Sequence, residues 1–155
     1  IIESPESSAI NERITGFEET ITDRGFEVAR IDVAGDYDII QDELAKILKS
    51  GTVPDAVMCG DDQMAEQVLA ILNDVGKTDT LVYSVGGSPE IKKELADPES
   101  PMAGVGAKSP INMGKTAAKI AAAILENGVY EPETYVETFF INKEDVDMYG
   151  TDGWQ

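Results

Sequence analysis

Four places along the 155-residue chain collect side chains able to do hydrogen-bond or charge chemistry. Arg13 lies off the apolar stripe made by Ile10, Ile14 and Phe17. Asp36-Tyr37-Asp38 forms a polar turn, and Asp61-Asp62 follows the apolar run Val57-Met58-Cys59. Lys108 stands just before Ser109-Pro110. Arginine offers a planar fork of donors, lysine a point charge, carboxylates accept, and tyrosine adds an aromatic face with a hydroxyl. Taken singly, each reads as a solvated loop residue, since loops are polar by default. Their recurrence at matching junctions is what makes the group a candidate site.

Several chemistries lack their parts. The chain has no histidine, so no Ser/His/Asp triad can form, and the lone Cys59 has no histidine base to activate it. Cys59 ends an apolar run and reads as a small buried hydrophobe. Asp61-Asp62 brings too few oxygens for a hard cation, and capping of the following helix accounts for the pair. Gly86-Gly87-Ser88-Pro89 lacks the lysine and spacing of a phosphate loop, and Gly104-Val105-Gly106 lacks a third glycine at dinucleotide spacing. The reading is a protein without catalysis, metal or cofactor.

These residues are positioned by alternating elements. Ile1-Ile2 reads as the stub of a strand. Phe26 to Val33, Ala56 to Cys59, Leu81 to Val85, Met102 to Ala107 and Tyr135 to Ile141 read as further strands. Helical spacing links Ile10, Ile14, Phe17 and Ile21, then Ile40, Leu44, Ile47 and Leu48, then Met64, Val68, Ile71 and Leu72. A short helix starts at Pro89, and a longer one follows Pro110, with Met113, Ala117, Ile120, Ala121 and Ile124 on one face and a stop at Asn127-Gly128. The acidic tail to Gln155 reads as loosely held. Strands alternating with helices give an α/β fold, a doubly wound, mostly parallel sheet with helices on both faces. Ligands of such sheets bind outside the carboxyl ends of the strands, where the polar junctions fall.

The formal net charge is −18, from 12 basic and 30 acidic residues. Phosphate backbones require a basic footprint, so nucleic acid and anionic membrane surfaces are excluded as partners. The acidity is spread out and serves solubility. No run is apolar and long enough to span a bilayer. The start at Ile1-Ile2 reads as a processed or truncated product.

The run Asn11-Glu12-Arg13-Ile14-Thr15-Gly16-Phe17, then Gly35-Asp36-Tyr37-Asp38, then Pro54-Asp55-Ala56-Val57-Met58-Cys59-Gly60-Asp61-Asp62-Gln63-Met64-Ala65, resembles periplasmic sugar-binding proteins of the ribose/galactose type. Gly87-Ser88-Pro89-Glu90, Lys108-Ser109-Pro110-Ile111-Asn112-Met113-Gly114 and Phe140-Ile141-Asn142-Lys143-Glu144-Asp145-Val146-Asp147 continue it in the family's order. The resemblance implies the C-terminal portion of a type 1 solute-binding protein, whose two lobes close on a sugar for an ABC permease. It implies a location in the periplasm, or outside the cell and membrane-anchored in a Gram-positive organism. Residues 1–107 would form the C-terminal lobe core, 108–136 would belong with the N-terminal lobe, and 137–155 would return as the final strand and tail.

Carried over by position, the resemblance makes Arg13 a donor to the sugar, Tyr37 an aromatic surface against its ring, and Asp61 a polar contact where the family often has asparagine. Val85-Gly86 replaces a frequent aromatic-Asp pair, and Lys108 stands where glutamine is common. Arg13 with Lys108 would suit an acidic or otherwise modified sugar. Two competing readings are the effector-binding core of a LacI-type transcription regulator and, more remotely, a phosphoacceptor receiver domain. A helix meant for another lobe keeps its apolar stripe, so helix 111–126 is expected either to drive self-association or to fold back on its own sheet.

Overall fold

A computed structural model of the chain describes residues 1–126 and 128–154. The N-terminal apolar pair forms β1 (Ile2–Glu3), and α1 (Ser8–Ile21) buries Ile10 and Ile14. After α1 the chain passes a 3-10 turn and Gly25, then β2 (Ile31–Asp32) and α2 (Ile39–Lys49), whose inner face is Ile40 and Leu44. β3 (Ala56–Met58) leads into α3 (Asp62–Asp74), which buries Met64, Ala65, Val68, Leu69 and Leu72. β4 (Leu81–Gly86) and α4 (Pro89–Ala96) follow, with Pro89 in the first turn, where a missing N–H costs nothing. β5 (Met102–Lys108), α5 (Pro110–Leu125), β6 (Thr138–Asn142) and the single turn α6 (Val146–Tyr149) complete the chain.

β3, β4 and β5 pair in parallel and β6 closes the edge antiparallel to β5. β1 and β2 pair in parallel, and a bridge between Ile2 and Cys59 joins the two sets. The resulting order is β2-β1-β3-β4-β5-β6, with the direction of winding reversing between β1 and β3. Right-handed crossovers then place α1 on one face and α2, α3 and α4 on the other. α3 packs on β4, α4 on β5, and α2 beside α3. The core fills between sheet and helices, with Val57, Val82, Met102, Val105 and Ile141 supplied by the strands.

Three expectations change, and one alternative is narrowed. The strand expected over Phe26 to Val33 narrows to Ile31–Asp32, because β1 offers only two residues to pair with. Phe26 and Val28 are exposed instead. The last strand begins at Thr138 rather than Tyr135, whose side chain is 87% exposed. The tail is held, not loose: Val146 is buried, Tyr149 stacks on Phe139 at 5.1 Å, and the fully buried Lys92 donates to the carbonyls of Tyr149 and Gly153. α5 buries none of its residues, so its stripe does not fold back on the sheet. Of the expected stop, Asn127 lies outside the described residues, as does Gln155 in the tail, while the Gly128 N–H closes on the Ala123 carbonyl.

Candidate functional site

The carboxyl ends of β1, β3, β4 and β5 share one edge of the sheet, and the polar junctions gather there. Arg13 reaches that edge because α1 approaches β3 closely. A Cβ on Gly60 would lie 2.4 Å from Ile10 Cγ2, so only glycine allows the contact. The Gly60 carbonyl then accepts from Arg13 Nη1 at 2.9 Å. Half-buried Arg13 forms no ion pair with any carboxylate among the described residues, so its remaining N–H donors are uncommitted within the chain.

Asp61 caps α3. Its backbone is extended, and Oδ1 accepts from the Met64 N–H at 2.9 Å, which satisfies one of the four unpaired N–H groups at a helix start. Oδ2 accepts from the Tyr37 hydroxyl at 2.6 Å. Partial burial, then the hydrogen bond to Asp61, push the Tyr37 phenol up to about 12. Tyr37 is delivered by a tight turn in which Ala34 and Gly35 both take positive φ, at 47° and 80°. For alanine that conformation costs about 1 kcal/mol or more, and the Ala34 N–H bond to Asp32 Oδ1 at 2.8 Å helps hold it. Arg13, Tyr37 and Asp61 are thus one cluster, linked through Gly60.

Val85 and Gly86 end β4, three strands along from β2 and Tyr37's loop, and do not join that cluster. Val85 packs against the core. Gly86 is buried, and a Cβ there would lie 2.4 Å from Asp62 Oδ2. The Asp62 carboxylate fills that space, accepting from Ser84 Oγ and the Ser88 N–H, each at 2.7 Å. Position 86 therefore offers a ligand backbone only. Gly87, at φ 91°, lets the same turn lie against Ala107 and the Lys108 backbone. Lys108 ends β5, half-buried and opposite Thr138, with no acid pairing to it among the described residues.

An open depression of about 410 Å³ lies beside Tyr37, lined also by Ser7, Asp36, Asp38, Gln63 and Gln67. Sequence reasoning passed over Ser7, Gln63 and Gln67. The two glutamines sit four apart on α3 and so share a face, but polar residues near a helix start carry no distinguishing signal. The sequence offers Asp62 as a cap, a cation ligand or a phosphoacceptor, but not as the partner of Ser84, Gly86 and Ser88, which all lie on one later segment. A second depression of about 400 Å³ between α3 and α4 gathers Glu66, Glu90 and Glu94. Cys59 is fully buried, and burial pushes its thiol far up, so it is no nucleophile.

The fold is matched among known proteins. Residues 1–128 match the family described as periplasmic binding protein domain. Among curated proteins no match was found. An ABC sugar transporter subunit from Rhodobacter sphaeroides aligns over 93% of this chain and 55% of its own, at 26% identity and a TM-score of 0.78. An ABC transporter solute binding protein from Agrobacterium vitis, with bound allitol, aligns over 79% of this chain and 42% of its own, at 28% identity and a TM-score of 0.65. A periplasmic solute binding protein from Actinobacillus succinogenes with bound D-allose reaches a TM-score of 0.87 over 96% of this chain and 53% of its own; at 16% identity it shows the fold alone. The chain spans about half the length of these structures.

Proposed function

The chain belongs to the periplasmic binding protein domain family, and from that membership we propose that it forms most of one lobe of a two-lobed receptor that grips a sugar or sugar derivative without altering it. The observation that carries the proposal is the convergence of Arg13, Tyr37 and Asp61 at the carboxyl edge of the parallel strands. Arg13 supplies donors, Asp61 an acceptor and Tyr37 an aromatic face. Those are the complements of a polyhydroxylated ring. Lys108 and the backbone at Val85-Gly86 extend the contact surface along the edge. The same kind of ligand is bound by relatives of this fold, which hold allitol and D-allose.

Residues 1–107 are the core of this lobe. Residues 108–136 pack with a second lobe, and 137–155 return to the first. The exposed face of α5, with Met113 and Ile124 each close to half exposed, supports this division. Closure of two lobes buries a ligand from both sides. The partner is an ABC permease, and the protein works outside the cytoplasm. A transcription-regulator core would share the fold, but the neighbours named above are transport receptors. In the isolated chain, helix 111–126 would instead pair with a second copy.

The test is a thermal-shift screen of the full-length protein with monosaccharides, sugar acids and polyols. A ligand that binds only the native state raises stability by about 2.7 kcal/mol at a hundred times its Kd. We expect a carbohydrate to raise the melting temperature in wild type and to do so much less in Arg13→Ala. No response from any carbohydrate would count against the proposal.

A further inference from the structure

Asp61 is an acceptor whose present partners are all donors. Oδ1 takes the Met64 N–H and Oδ2 the Tyr37 hydroxyl. A carboxylate has about four acceptor positions, so each oxygen keeps room for a further donor. Tyr37 does not reverse its role near neutral pH, because burial and Asp61 hold its proton to about pH 12. Arg13 gives Nη1 to the Gly60 carbonyl and not to Asp61. No cation among the described residues pairs with Asp61. Along the same edge Asp36, Asp38 and Asp61 outnumber Arg13 and Lys108, within a chain of net charge −18. A local excess of one sign sets the sign of ligand the cleft concentrates.

We infer that Asp61 fixes the polarity of the ligand: the group facing it is a hydrogen-bond donor, and the site prefers an aminated sugar to the neutral sugar, and the neutral sugar to a sugar acid. This inference rests on the sugar-receptor reading and narrows it. It reverses the expectation that Arg13 and Lys108 select an acid. Those two cations do not neutralise the three carboxylates, and Arg13 is partly spent on a backbone carbonyl.

The experiment is calorimetric titration of the full-length protein with glucose, galactose, their amino forms bearing the amine at carbon 2, 3 or 6, and their uronic acids. Charge-assisted hydrogen bonds are roughly twice as strong as neutral ones, a difference read as about tenfold in Kd. We expect at least one amino sugar to bind about tenfold tighter than its neutral parent, and the uronic acids to bind weakest. Asp61→Asn keeps the helix cap, since asparagine caps as well as aspartate, and is expected to remove most of the amine preference. Tyr37→Phe, which leaves the charge in place, keeps that preference. Binding of a neutral sugar with acids equal to or tighter than amines overturns this inference alone. An unchanged amine-to-acid ratio in Asp61→Asn does the same. Failure of every carbohydrate to bind removes both this inference and the receptor reading beneath it.

Discussion

Gly86 is glycine for space, not for backbone freedom, since its φ is not among the positive values of the chain. An added methyl group would meet the Asp62 carboxylate, and overpacking of this kind costs about 1–3 kcal/mol. Gly86→Ala should therefore lower stability by that amount in urea unfolding. Combined with Asp62→Ala, the two losses should not add, because one change makes room for the other. At Asp61, Asp61→Ala should cost about 1 kcal/mol through the lost cap, while Asp61→Asn should be near neutral. Tyr37 gives a pH signature. Its phenol ionises at about 12 in the fold against 10.0 for a free tyrosine. The folded state holds the proton more tightly, so this contribution to stability is whole below pH 10 and is lost as pH rises through 12. The stability difference between wild type and Tyr37→Phe should shrink over that window, and phenolate absorbance of the folded protein should show one tyrosine titrating late. Tyr37, Asp61 and Lys108 were legible as candidates because they stand at strand-to-helix junctions, and Arg13 because it lies off the apolar stripe of α1. The Asp62–Gly86 packing was not legible, since two residues 24 apart in the chain meet only through the β3–β4 pairing.

Elements with clear periodicity were read well, and elements that depend on their partners were not. α3 shows the first case: Met64, Val68 and Leu72 recur at helical spacing, and all are fully buried. Phe26 to Val33 shows the second. Its residues favour strands, but a strand needs a neighbour, and β1 supplies one for two residues only. The tail shows a third. Its acidic composition reads as disorder, yet Lys92 of α4 and Lys143 after β6 act as reciprocal staples, the latter donating to the carbonyls of Asp97, Pro98 and Ser100. Burial lowers the Lys92 ammonium pKa, with Asp152 opposing. Lys92→Met keeps the buried stem and removes the donor. Loss of such a partner costs about 1–3 kcal/mol, and hydrogen exchange over residues 146–153 should speed up while α3 stays protected. Unchanged exchange in the tail would show that Val146 and the Phe139–Tyr149 stack hold it without the lysine.

At the scale of the molecule, the sheet is followed by a helix, α5, that buries none of its residues. Leu125 at the end of α5 is 83% exposed, and Met113 and Ile124 are close to half exposed. Contiguous apolar surface of this kind drives association. Sedimentation of the 155-residue chain should show self-association that Ile124→Glu weakens, and a monodisperse monomer at high concentration would contradict that. The parallel order and the carboxyl-edge site were foreseeable because alternation of elements constrains both. The sugar-receptor proposal stands on Arg13, Tyr37 and Asp61 forming one carbohydrate-gripping surface. The direct measurement is titration of the full-length protein and of Arg13→Ala, Tyr37→Ala and Asp61→Ala with the tightest sugar found by screening. Each variant should lose at least about tenfold in affinity, about 1.4 kcal/mol, while still folded. Unchanged affinity in all three would contradict the proposal.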